Sequence, residues 1–439
     1  MKKKVILISA ILIVFTLVAW KSVLSFEPDR LLEQSKLVQS ADNFMEDSLY
    51  IRAIPLYEQA YNMNIESTNV DIENKLIEAY KLNDDLDKYY NLLENKVSKK
   101  TATENEFIII ADNYINNNKT QTAIDYIKQG LKIYPDSELL NKYYEDNRYF
   151  FNQQYTYYSE LGSITEDSNY ILYKDTIDDT ECWGYVDINS KILISPQFEK
   201  ASNFYNGYAI VQLDGNIFII NKDGKKYSIP QDKITDFKSI TLNVLRINNG
   251  NTWCLANLDF KPYDNTSYDD ILSFSENLCA VKSNGKWGFI DNNLDLVLDA
   301  KYNDVVYNDT EQCFYQNRAF VKVNDKYILI DNQGNQVGND CYDDAKPFSS
   351  DGSLACVKKN GLWGFVDING ILTIDYQYND AYSFSNYVAA VCNGSNWQYI
   401  SYSNQPINDY KYLKATPFVG ETAKVLTDDG WLLVKLEVY

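Results

Sequence analysis

The chain has 439 residues, of which 45% are hydrophobic and 23% charged, enough for two or three folded domains. Its formal net charge of −20 repels phosphate backbones, so nucleic-acid binding is not expected. It contains no histidine, which excludes Ser-His-Asp and Cys-His nucleophilic catalysis and all His-ligated metal sites.

Residues 1–26 open with MKKK and continue into VILISAILIVFTLVAW, an apolar run without a charge. A cationic start followed by such a run is a signal peptide or a signal anchor. No A-x-A site follows, and Lys21 can snorkel to let Val23 and Leu24 lengthen the span. An uncleaved anchor over residues 5–24 is therefore expected. Lys2, Lys3 and Lys4 stay in the cytoplasm under the positive-inside rule, and the bulk of the chain lies outside.

From residue 27 to 152 the apolar spacing is three and four, the period of packed helices. Ala111, Tyr114, Ala123, Ile127, Gly130 and Pro135 alternate small and bulky residues, and Ala41, Phe44, Ala53, Tyr57 and Ala60 repeat that order. Ile77, Leu86, Tyr90 and Leu93 form a weaker copy between them. This stretch resembles three tetratricopeptide hairpins, with SELLNKYYEDNRYFF as a closing helix. An unrelated antiparallel helical bundle is the alternative.

Residues 153–439 carry two phrases in step. The first centres on Trp183, Ile217, Trp253, Trp287, Tyr327, Trp363, Trp397 and Trp431. An alternating strand and a tight Asn-Gly or Asp-Gly turn usually precede it, a strong hairpin signal. The second phrase, YDDAxxF, starts at Phe198, Gln231, Tyr268, Tyr302, Tyr342, Tyr378 and Tyr412. With Trp-Gly pairs at Trp183-Gly184, Trp287-Gly288 and Trp363-Gly364, this part resembles the WG-repeat family of bacterial proteins. The resemblance implies propeller-like β-structure and little about biochemical role. The expected fold is thus multidomain: an anchor, an all-α tetratricopeptide-like segment and an all-β repeat domain.

Trp431 has no second phrase after it, while YSELGSI (Tyr158–Ile164) is a second phrase with no tryptophan strand before it. A ring can join these halves and hide the edges that an open hairpin stack would expose, which predicts eight blades.

Little else carries chemistry. The seven cysteines include no C-x-x-C, and Cys279, Cys356 and Cys392 sit in apolar strands as small hydrophobes. Asp187, Asp291, Asp331 and Asp367 head D-x-N/Q turns that lack the acidic twelfth ligand of a calcium loop. No metal, cofactor or catalytic residue is expected. The expected role is membrane-anchored, extracytoplasmic protein–protein interaction or scaffolding, toward an unknown protein partner or envelope polymer. A carbohydrate-binding module and a propeller hydrolase are the rivals.

The repeat lengthens in two places, KDTIDDTEC before Trp183 and YNDTEQCFYQN between Tyr307 and Asn317. Insertions in repeat proteins fall in loops, often on the binding face. The second insertion is expected to join one blade to the next. Asp309, Glu311, Phe314 and Tyr315 are the candidate partner-binding residues, aromatics as anchors and acids at the rim.

Overall fold

A computed structural model describes residues 28–165, 169–230, 234–263 and 266–439. The expected anchor at residues 5–24 lies outside the described residues. Among those described, no helix is long and apolar enough to cross a membrane. The chain divides after Arg148 into two compact units.

The first unit has seven helices among the described residues: 28–46, Tyr50–Asn62, Glu66–Leu82, Leu86–Ser98, Glu104–Asn116, Thr120–Ile133 and Glu138–Asn147. Consecutive helices pack on one another around a core in which Ala41, Ala53, Ala60, Ala79, Ala111 and Ala123 are wholly buried. Those small side chains let paired helices approach, and Tyr57, Leu93 and Phe107 fill the gaps between them. A Cβ at Gly130 would stand 3.0 Å from both Leu140 and Phe107, so the glycine is where the closing helix docks. The chain turns through one left-handed residue between successive helices, at Ser48, Asn64, Asp84, Lys100 and Asn118.

That closing helix stops at Asn147, earlier than the helical spacing of YEDNRYFF suggests. Tyr149–Tyr158 is instead a strand whose register places Tyr149 opposite Val438 and Phe151 opposite Leu436. The two-residue alternation of a strand buries Tyr149 and Phe151 on one face while Phe150 points to solvent.

The second unit is an eight-bladed β-propeller. Blade 4 shows the pattern: Asp270–Ser275 innermost, then the hairpin Leu278–Ser283 and Lys286–Asp291, then Leu296–Tyr302 outermost. The hairpin turns on Asn284 and Gly285, both at positive φ, as do Asp214-Gly215 in blade 2 and Asn360-Gly361 in blade 6.

The second phrase straddles two blades. Its leading aromatic ends the outer strand of one blade, opposite the tryptophan: Phe198 faces Trp183, Tyr302 faces Trp287 and Tyr378 faces Trp363. Its next residues start the inner strand of the following blade, where the first acid caps the hairpin turn. Asp269 accepts from Gly285 N–H at 2.9 Å and Asp343 from Asn360 N–H at 2.8 Å. The orphan halves meet as a ring requires, because Tyr158 stands opposite Trp431. Blade 8 therefore combines the two ends of the unit: Lys414–Ala415, Thr422–Thr427, Gly430–Val438 and, outermost, Tyr149–Tyr158.

The glycine after tryptophan has a steric cause. A Cβ at Gly184, Gly288 or Gly364 would lie 2.6, 2.6 or 2.7 Å from a carbonyl oxygen of the outer strand bulging over it. Blades 3, 5 and 7 carry Cys254, Ile328 and Gln398 there, and each of these sheets has three strands, its fourth reduced to two isolated bridges. Most of the first-phrase aromatics also lie under a lysine of the neighbouring strand, such as Lys282 at 5.6 Å from the Trp287 ring and Lys322 at 5.2 Å from Tyr327.

Candidate functional site

The loops between first and second strands converge on the ring axis and enclose a cavity of about 650 Å³ lined by all eight blades. The inserted segment lies here. It does not join two blades, as its sequence position suggests. Asp304–Val305 already pairs with Lys322 and Val321 of its own blade, so the segment is the first-to-second-strand loop of blade 5. Antiparallel strands put this loop on the same face as the D-x-N turns, and Asn292 bonds Asn277 there at 2.7 Å. The KDTIDDTEC lengthening lies on the opposite face. It is no loop but two extra residue pairs of the blade 1 hairpin, Thr176 to Glu181 and Ile177 to Thr180.

The insertion folds on itself and then spans the channel. Asn308 Oδ1 accepts from the N–H groups of Thr310 and Gln312, at 3.0 and 2.9 Å. Ser163 of blade 1 donates to the Asp309 carbonyl at 3.0 Å, and Ser273 N–H of blade 4 donates to the Glu311 carbonyl at 2.8 Å. The Glu311 carboxylate pairs with Arg246 and, at 3.0 Å, with Lys238, both of blade 3. Three other blades therefore hold it in place.

The four expected partner-binding residues separate under this geometry. Phe314 is wholly buried and packs edge-on against Phe289 at 5.1 Å, so it offers no surface to a partner. It is the phenylalanine of the second phrase, displaced by the insertion. Four residues before the second strand stand Phe204, Phe274, Phe314, Phe384 and Phe418, a count that would have identified it from sequence. Tyr315 lines the cavity, and its hydroxyl bonds Gln312 and Asn308 at 2.6 and 2.9 Å. Glu311 is a half-buried ion-pair partner rather than a rim acid. Asp309 is exposed, beside Tyr307, which is 49% exposed.

Arg246, with only 1% of its surface exposed, and Lys424 were not singled out by the sequence reading. They share one position on the second strand, where other blades carry Leu172, Ile210, Ala280 or Phe320. A charge at a position that is otherwise apolar was the available signal. Glu311→Ala leaves the buried Arg246 guanidinium with the Ser239 carbonyl and no carboxylate. It should cost about 3 kcal/mol in urea unfolding, whereas Asp309→Ala should be close to neutral.

Cys279 and Cys356 are buried in their strands, and the turn acids hold their turns. Burial pushes the Cys279 and Cys356 thiols up to about 12, which keeps them protonated and unreactive. Asp187, Asp291, Asp331 and Asp367 each bond two turn N–H groups through Oδ1. Those backbone bonds hold the Asp291 carboxyl below the usual range.

A family model described as "WG containing repeat" matches residues 183–216, 267–287, 287–327, 342–363 and 363–397. No curated protein matches the chain significantly. Among solved structures, the AfRom2 CNH domain is similar at 9% identity and TM-score 0.32, over 56% of this chain and 98% of that one. The N-terminal domain of Nup159 is similar at 10% identity and TM-score 0.31, over 66% and 96%. YCF48 from Cyanidioschyzon merolae is similar at 12% identity and TM-score 0.30, over 65% and 98%.

Proposed function

The chain is a WG-repeat protein, and we propose that it works as a binding protein without catalytic activity. In this reading residues 5–24 anchor it in the cell membrane, and the helical and β units face the extracytoplasmic side. There it recruits or scaffolds a protein partner. One observation carries the reading: a loop pinned to blades 1, 3 and 4 presents Tyr307 and Asp309 to solvent. An exposed aromatic beside an acid on such a fixed loop loses little conformational entropy when it docks. The helical hairpins, in their likeness to tetratricopeptide repeats, would supply a second protein-binding surface.

Capture from envelope extract tests it, comparing the chain with a Tyr307→Ser, Asp309→Asn double variant. The variant is expected to lose a partner that the parent retains, at an unchanged melting temperature. Equal capture would return the loop to a structural role. Protease added to intact, wall-stripped cells should digest both units; full protection would overturn the orientation.

Recognition of an envelope carbohydrate is the second reading, favoured by the hydroxyls and tyrosines that line the cavity. A propeller hydrolase would call for two close carboxylates in the channel, and among the described residues Asp309 is the carboxylate lining the cavity.

A further inference from the structure

Within the cavity, Asn203 of blade 2 is 9% exposed and its side-chain oxygen has no hydrogen-bond partner. A buried acceptor left in that state costs about 1–3 kcal/mol, a cost that a ligand donor removes once the amide turns toward the cavity. Lys424 of blade 8 lines the same space. Its ammonium donates to the Leu161 and Gly162 carbonyls at 2.9 and 3.0 Å, and no carboxylate lies within 4.0 Å of it among the described residues. Desolvation holds its pKa below the usual lysine range; Asp309 and Glu160 oppose that shift, and Lys414 adds to it. Lys346, on the Tyr382 ring at 3.9 Å, adds a second cation, although Asp380 pairs with it. In a chain of net charge −20, this lining carries two lysines against one aspartate.

We propose that the cavity binds an acidic saccharide, its carboxylate meeting Lys424 and a hydroxyl donating to Asn203. The remaining chemistry selects a sugar. Ser239, Thr241, Ser383, Ser385 and Thr416 line the wall, and hydroxyls both donate and accept as a polyol requires. A phosphate would be better served by an arginine fork, but Arg246 is already engaged by Glu311. The volume suits a ligand of about two or three sugar units. The protein-partner reading rests on Tyr307 and Asp309, which line the same cavity, so Asn203→Ala and Lys424→Gln, which leave both in place, are the variants that separate the two readings.

Calorimetric titration of the purified full-length chain with trigalacturonate and with neutral galactotriose tests the proposal. The acidic sugar should bind at least about tenfold more tightly, and added salt should narrow the difference. Lys424→Gln should weaken trigalacturonate by about tenfold, and Asp309→Asn, which removes a repelling charge, should tighten it. Asn203→Ala should weaken binding without lowering the melting temperature, because the lost oxygen has no partner in the unliganded protein. Binding should also fade as pH rises through the lowered pKa of Lys424, before ordinary lysines titrate. No binding at millimolar trigalacturonate, equal affinity for the neutral sugar, or binding indifferent to both Asn203→Ala and Asp309→Asn would each overturn it. The last criterion holds even if Lys424→Gln fails to fold.

Discussion

Deleting residues 423–439 is expected to abolish cooperative folding of the propeller, far beyond what its length suggests. The deletion removes nearly all of Thr422–Thr427 and the whole of Gly430–Val438, and it leaves Tyr149–Tyr158 with no strand to pair with. Val425, Leu432, Leu433, Val434 and Leu436 are all at most 1% exposed. Their burial is worth about 1.5–3 kcal/mol each, together on the order of the roughly 5–15 kcal/mol by which a domain is stable. The cut also bares the apolar faces of blades 1 and 7 that pack on blade 8, and such exposed patches promote association. Size-exclusion chromatography and thermal melting decide the matter. A truncated chain that stays monomeric and melts at the parent temperature would mean that ring closure contributes nothing.

Trp363→Ala is expected to cost about 3–5 kcal/mol, the scale for emptying a large buried aromatic site. The ring is 3% exposed and belongs to a cluster with Phe365, Ile374, Tyr378 and Phe384. Lys346 and Lys358 lie 5.0 and 5.6 Å from its centroid. The outer strand crosses at Tyr378, so its neighbours cannot collapse into the space without breaking that pairing. Urea unfolding gives the number, and a loss below about 1 kcal/mol would contradict the packing role. Trp183→Ala should cost less, since that side chain is only half-buried.

Much of the architecture was legible because it is written in local chemistry that recurs. Asn-Gly turns at Asn284 and Asn360, alternating apolar strands and a tryptophan opposite an aromatic fifteen residues on all act within one blade. The complementary ends, Tyr158 and Trp431, announced the ring without any knowledge of its radius.

What sequence order could not express was the space inside that ring. A closed channel brings blade 1 against the loop of blade 5, and Arg246 against Glu311, partners that share no local pattern. So the insertion looked like a free connector while it was a pinned crosspiece, and Phe314 looked like an anchor while it filled the core. Asn203 and Lys424 likewise share a cavity only because the ends of the unit meet. The repeat, the blade count and the closure could be read from the amino-acid order, since these follow from short-range hydrogen bonding and hydrophobic alternation. Which charges are buried, which aromatics are exposed and what faces the axis emerged with the folded ring, because those depend on distances across it that chain separation does not encode.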